Sequence, residues 1–332
     1  MTLCLSDPVD GYYVKQDPFG TGGDFITAPE ISQLFGELIG GWLADVWQRI
    51  GAPDPVLLVE PGPGRGTLMS DILRVASLNP AFMNALQVHL VEISPILQDR
   101  QRERLREAGA AINWHGDLAD VPAGPILLVA NEFFDALPVR QYVGFQGRWQ
   151  ERLVGCSDDG RLTFMPGPGT PDTDFPAEDG AIFETSPASS AIVNEIANRI
   201  GDSGGAALII DYGHVGPAVG ETLQAVRDHR YVDPLASPGE ADITAHVDFA
   251  ALINACAGVD VRCHGPMAQG DFLLALGLLE RAGQLGRDKD DATRQSIRDA
   301  VQRLAGPDQM GRLFKVLAIT DPDIEPLPFA TD

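Results

Sequence analysis

The chain predicts an α/β fold centred on a mostly parallel sheet, and three observations carry that expectation. Short apolar runs alternate with segments of helical periodicity. Most of the runs stop at an acid or an amide, and a turn dense in glycine joins the first run to the helix behind it. The 332 residues are 44% apolar, ample for a core. Their formal charge of −23, from 24 Lys+Arg against 47 Asp+Glu, argues against nucleic acid or an anionic membrane surface as the main partner. No run of eighteen apolar residues occurs, and the N-terminus has neither the order of a signal peptide nor the look of a transit peptide, so no membrane insertion is expected. Cys4, Cys156, Cys256 and Cys263 form no C-x-x-C pair, which predicts reduced thiols in a cytoplasm-like compartment; the histidines show no ligand spacing, so no metal is expected.

The first helix follows Thr27-Ala28-Pro29-Glu30, with Thr27 and Glu30 at capping-box spacing. Ile31, Leu34, Phe35, Leu38, Ile39, Trp42, Leu43, Val46 and Trp47 then recur at helical spacing until Gly51. The interior glycines Gly36, Gly40 and Gly41 lower helix propensity, which predicts a close-packed neighbouring backbone. Strands are expected at Val56–Val59, Val88–Val91, Ala111–Trp114, Ile126–Val129 and Ala206–Ile210. A hairpin (Arg148 to Val154 with Arg161 to Met165) and a helix around Ile192, Ile196 and Ile200 precede the fifth run. Val259 to Cys263 and Phe314 to Ile319 supply a closing antiparallel pair, and the helical patterns between them a cap near 268–306. Stretches rich in Pro, Gly and Asp at 155–180 and 213–240 read as irregular insertions.

The segment Val59-Glu60-Pro61-Gly62-Pro63-Gly64-Arg65-Gly66-Thr67 is the most informative. Its glycines permit positive φ and close approach, and the following helix offers free N–H groups. The third glycine of a dinucleotide fingerprint would fall on Thr67, and Glu60 would repel a pyrophosphate. The same acid attracts a cationic ligand, such as the amino and sulfonium groups of S-adenosylmethionine. Glu92 closes the second strand, where an acid can accept from ribose hydroxyls, and Asp117 follows the third, where it can take an adenine amino group. With Asn131 and Glu132 these acids should share the rim at the carboxyl ends of the strands. Taken singly, each could equally be a helix cap or a solvated loop charge. Asp211-Tyr212-Gly213 ends the fifth strand at the same rim and reads either as lining the substrate entrance or as a tight turn closed by Gly213, and Asp248 reads as the N-cap of a helix carrying Phe249, Leu252 and Ile253. For His246 a structural or orienting role outweighs acid–base work.

The chain resembles the MidA-like family of class I S-adenosylmethionine-dependent methyltransferases. The likeness lies in Gly11-Tyr12-Tyr13, Asp17 to Phe35, Val59 to Thr67, Val91 to Pro95, Asn131 to Pro138, Leu208 to Gly213, Asp242 to Phe249 and Met310 to Lys315. It departs in having Pro61 where an apolar residue such as Leu is usual, and in starting close to Gly11, which implies that the usual leading helix is missing. The resemblance implies a Rossmann-like, seven-stranded sheet, with residues 1–51 closing over the cofactor and 52–332 forming the methyltransferase domain, with insertions near 155–205 and 213–247. It implies cofactor contacts from Gly23, Asp24, Phe25, Glu60, Gly62, Gly64, Glu92, Ile93, Asp117, Leu118, Asn131 and Glu132. Mitochondrial members are complex I assembly factors that symmetrically dimethylate an arginine, so the implied acceptor is the quinone-site subunit of respiratory complex I.

A protonated guanidinium is a poor nucleophile, so carboxylates must hold its charge on the far nitrogens while the reacting nitrogen loses a proton. Glu132 is the expected clamp, with Asp135 or Asp24 assisting and His246 as a candidate base. The rival readings are an amide or exocyclic-amine methyltransferase, prompted by Asn131-Glu132-Phe133-Phe134, and a cofactor-binding assembly chaperone with little activity. The expected compartment is the cytoplasm for a bacterial source and the mitochondrial matrix for a eukaryotic one, and homo-oligomerisation stays open.

Overall fold

The computed structural model describes residues 1–15, 27–216 and 218–329. Its centre is a sheet of seven main strands: β1 (Val56–Pro61), β2 (Leu86–Val91), β3 (Ile112–His115), β4 (Ile126–Asn131), β5 (Gly205–His214), β6 (Arg262–Ala268) and β7 (Phe314–Thr320). They lie in the order β6-β7-β5-β4-β1-β2-β3. The pairs from β5 to β3 are parallel, while β7 runs antiparallel to both β5 and β6. A two-residue strand, Val247–Asp248, adds to the far end of β5 and brings the sheet to eight.

Apolar runs form these strands because both faces are covered. All six residues of β1 are buried, with Leu58 in the core on one face and Leu57 and Val59 in the core on the other. On the first face lie α1 (Gln33–Arg49) and α2 (Thr67–Ala76); on the second lie α3 (Pro187–Ser203) and α4 (Phe249–Ala255). Four helices between β6 and β7, from Gln269–Ala275 to Met310–Leu313, form the expected cap.

The long N-terminal helix differs from its sequence reading. Ala28–Ile31 forms a separate turn, Thr27 makes no side-chain cap bond, and Ser32 instead caps α1 by accepting from the Leu34 N–H at 3.3 Å. Ser32 is extended at φ −164°, which breaks the run that Thr27 was expected to start. Two of the three interior glycines do meet a neighbour: a Cβ on Gly36 would lie 2.5 Å from Asp71 Cβ, and one on Gly40 3.1 Å from Val75 Cβ, both on α2. Gly41 faces open space.

The segment 213–240 is not irregular throughout. Gln224–Arg227 pairs with Arg230–Val232 on one side and with Asp242–Thr244 on the other in a small antiparallel sheet, on which the short helices Thr2–Ser6 and Tyr12–Lys15 pack through Leu5 and Tyr12. Ahead of Gly11, Thr2–Ser6 is thus helical. The hairpin expected at 148–165 is part of a four-stranded antiparallel sheet with Arg140–Phe145 and Ile182–Thr185. Gly213 closes no turn: β5 runs through it, and a Cβ there would lie 2.0 Å from the carbonyl oxygen of Val247 on the added strand. Asp248 caps α4 as expected, accepting from the N–H groups of Ala250 and Ala251.

The glycine contacts predict opposite effects from one substitution. Gly36→Ala is expected to destabilise the fold by about 1–2 kcal/mol, overpacking outweighing the gain in helix propensity, whereas Gly41→Ala should stabilise it by up to about 1 kcal/mol. Urea denaturation of the two variants checks both signs.

Candidate active site

The carboxyl ends of β1 to β5 gather the predicted residues on one edge. Glu60, the last residue but one of β1, is almost fully buried. The loop behind it holds Gly62, Gly64 and Gly66 at φ of 63°, 53° and 75°, a region that side chains with a Cβ rarely adopt. A Cβ on Gly62 would also lie 2.9 Å from the Phe133 ring. Gly66 then starts α2 with no side chain capping its N-terminus, leaving backbone donors at the mouth of the loop.

Glu92 follows β2 and is buried. Its carboxylate accepts from the Ser94 N–H at 2.8 Å and from Gln101 Nε2 at 3.2 Å. Gln101 Nε2 also donates to the Gly64 carbonyl at 2.7 Å, and its Oε1 accepts from the Trp114 indole at 2.9 Å. One fully buried amide therefore ties the glycine loop to the acid after β2. Nothing in the sequence marks Gln101, which sits among charged residues on a helix of weak apolar pattern. Asp117 is exposed and caps the turn Leu118–Asp120 through the Ala119 N–H at 3.0 Å. Ile93 is half exposed, while Leu118 is buried.

At the end of β4, Glu132 adopts φ 50°, unusual for a residue with a side chain. Both hydrogen bonds described for its carboxylate use Oε1, from the Ala28 N–H at 2.9 Å and from Asn131 Nδ2 at 3.1 Å. Asp135 is buried beside the Tyr212 hydroxyl, which favours its charged form. Asp211 lies fully buried beneath them, accepting from the N–H groups of Phe134 and Asp135 at 2.9 and 3.2 Å. Asp242 accepts from the Tyr13 hydroxyl at 2.7 Å. His246 stands at the side, its ring edge-on to Tyr212 at 5.4 Å. Sequence reasoning missed Asp242 and Tyr13 as site residues: 229 positions separate them, and only the packing of the N-terminal helices on the small sheet joins them. Gly23, Asp24 and Phe25 lie outside the described residues.

These side chains border two adjoining spaces. One cavity of about 600 Å3 is lined by Gly62, Gly64, Glu92, Asp117, Glu132 and Asp135, together with Ile93, Leu118, Tyr13, Tyr212, Asp242 and His246, a size suited to a cofactor. A smaller one of about 40 Å3 shares Gly62, Gly64 and Glu132 with it and adds Glu60, Asn131 and Thr67.

Burial sets the charge state here. It raises Glu60 to about 8, with help from the nearby Glu92, and raises Glu92 and Glu132 to about 7. Asp135 rises to about 6 by burial, and Asp211 rises by burial and the neighbouring Asp135 and Glu132. Burial lowers His246, so its ring is neutral at pH 7. Glu60 Oε2 and Asn131 Oδ1 are buried with no hydrogen-bond partner among the described residues. Two unpartnered acceptors beside the glycine loop call for a donor, and the raised carboxyls call for a positive one. S-adenosylmethionine, with an ammonium and a sulfonium, fits that donor set.

Comparison with known proteins agrees. A family model described as "Putative S-adenosyl-L-methionine-dependent methyltransferase" matches residues 38–267. The chain belongs to this methyltransferase family. It is 40% identical to the mitochondrial protein arginine methyltransferase NDUFAF7 homolog of Drosophila melanogaster, over 96% of this chain and 80% of the relative. It is 37% identical to mitochondrial NDUFAF7 of Homo sapiens, over 96% and 78%. A Burkholderia thailandensis crystal structure bound to S-adenosyl-homocysteine superposes with a TM-score of 0.86 at 29% identity, covering 98% of this chain and 87% of that one. The chain is thus an S-adenosyl-L-methionine-dependent methyltransferase of class I fold. Among the described residues no helix is long and apolar enough to cross a membrane.

The raised carboxyls give a pH test. The folded chain keeps the Glu60 proton up to about pH 8, whereas the unfolded chain releases it near 4.5. Stability of the cofactor-free protein should therefore fall as pH rises from about 5 to 8, since the native state binds more protons over that window. Glu60→Gln should raise free-chain stability at pH 8 by about 1 kcal/mol or more, because it removes an unpaired buried charge, yet weaken cofactor binding at least about tenfold. Thermal melts across pH and calorimetric titration with S-adenosyl-homocysteine measure the two effects.

Proposed function

We propose that this chain transfers methyl groups from S-adenosyl-L-methionine to an arginine side chain of a protein, and that the acceptor is the quinone-site subunit of respiratory complex I. The observation that carries the arginine reading is a set of carboxyls, buried Asp135, Asp211 and Asp242 with half-buried Glu132, at the sheet edge beside the cofactor space. Relatives named as protein arginine methyltransferases support it. The subunit assignment rests on the family resemblance, which also carries the compartment: mitochondrial matrix in a eukaryotic source, cytoplasm in a bacterial one. The eukaryotic relatives are named mitochondrial.

In this reading Glu60 and Asn131 hold the cofactor's ammonium with their unpartnered oxygens. Gly62 and Gly64 approach it through backbone, Glu92 holds the ribose, and Ile93, Asp117 and Leu118 surround the adenine. The described residues of the N-terminal stretch cover the cofactor, with Tyr13 and Thr27 lining the cavity. The cofactor supplies an electrophilic methyl on a sulfonium. Glu132, with Oε2 left for a donor, grips the guanidinium, and Asp135 assists. A carboxylate pair localises positive charge on the nitrogens it touches, leaving the third nitrogen richer in electrons once its proton departs. Asp135, raised to about 6, is mostly ionised at pH 7. Neutral His246 acts by positioning, packing on the Tyr212 ring whose hydroxyl orients Asp135.

Glu132→Gln preserves shape and the Oε1 acceptor. It should lower methyl transfer by about 100-fold or more while leaving cofactor affinity within a few-fold of the parent; full transfer with cofactor bound would remove Glu132 from the clamp. The acceptor is tested by peptide mass spectrometry of the quinone-site subunit from cells with and without this protein. Dimethylarginine confined to the first sample is the expected result, and an unmodified arginine in both overturns the subunit assignment.

A further inference from the structure

A second cavity, of about 590 Å3, lies on the other side of His246 and nearly equals the cofactor space in volume. Among the residues lining the two, His246 is the one they share. The second cavity is walled by α3, α4, the added strand Val247–Asp248 and the loop between Pro166 and Ile182 that joins two strands of the four-stranded sheet. That loop is anchored by the Trp149 indole, which donates to the Phe175 carbonyl at 2.9 Å.

The lining includes Asp172, Asp174, Glu184 and Asp248, and neither lysine nor arginine. Two of these acids serve the fold: Glu184 accepts from the Thr222 and Leu223 N–H groups and from Gln141 at 2.7 Å, and Asp248 caps α4. Asp172 and Asp174 are exposed, and no ion pair or hydrogen bond is described for either carboxylate. Between the acids lie apolar surfaces from Phe134, Val139 and Phe175. A carboxyl-rimmed, apolar-floored space beside the reacting end suits an extended polypeptide with positive flanks better than a small metabolite.

We propose that this second cavity holds the acceptor chain next to the methylated arginine, and that it selects acceptors with basic residues on that flank. The inference rests on the arginine reading above and adds to it a docking site and a rule of selection. The arginine enters past His246, while the neighbouring backbone stays on the α3–α4 side, where Asp172 and Asp174 meet its positive side chains.

The test uses the full chain and two short peptides with a central arginine, one flanked by lysines and one by glutamates. The parent protein should methylate the lysine-flanked peptide with a KM about tenfold lower. Asp172→Lys/Asp174→Lys should erase that preference while kcat on the lysine-flanked peptide and affinity for S-adenosyl-homocysteine hold. The matched control, Asp288→Lys/Asp308→Lys on the helical cap, should change the KM less than about twofold, which separates docking from the effect of net charge. Equal KM values for both peptides with the parent protein, or an unchanged preference in the Asp172/Asp174 variant, would overturn the inference and leave the arginine reading standing. Absence of transfer to either peptide would overturn the arginine reading and this inference with it.

Discussion

Everything at the working edge depends on one electrostatic constraint: carboxyls held largely out of water with, among the described residues, no ion pair to a cation. Glu60, Glu92, Glu132, Asp135 and Asp211 all stand above the ordinary carboxylate range because burial disfavours their charged forms. Part of that cost is met internally, by the backbone N–H groups that Asp211 accepts from and by the Tyr212 hydroxyl at Asp135. Part is left open, at Glu60 Oε2 and Asn131 Oδ1. A positively charged ligand relieves it in a way that a neutral one cannot, so selectivity begins before any shape is matched.

The surrounding architecture keeps these acids in place. Parallel strands buried on both faces fix where each acid leaves the sheet. Gln101 locks the glycine loop to Glu92, and the Tyr13–Asp242 bond ties the N-terminal helices to the small sheet at the cavity wall. The first link is buried and the second part-buried, and each joins separate elements of the fold. The loss of either would loosen a contact between elements rather than unfold one.

The strands and the rim were legible in the sequence because most of the buried strands are apolar runs, and the first residue that can tolerate the edge comes at or just after the run's end. Glu60, Glu92, Asn131 and Glu132 are therefore readable from position alone. The partners that hold them are not. Gln101 and Asp242 carry no local signal, because their role comes from tertiary packing alone. The misread elements have physical causes too. Thr27 has capping-box spacing, but the chain extends at Ser32 and gives the cap to that residue. Gly213 follows an Asp-Tyr pair, as a turn glycine would, but is there because a neighbouring strand leaves no room for a Cβ.

The backbone at Glu132 has a consequence for how the family can drift. A non-glycine residue at φ 50° costs roughly 1–3 kcal/mol, held here by the N–H bond to the Ile210 carbonyl and by the Ala28 contact. Glycine relieves that strain, and a glutamate codon reaches a glycine codon by a single base change. Selection for thermal robustness and selection for chemistry therefore pull in opposite directions at one position. A lineage that no longer needs the reaction has a short, downhill route to a sturdier protein, and glycine at this position is the mark such a loss would leave.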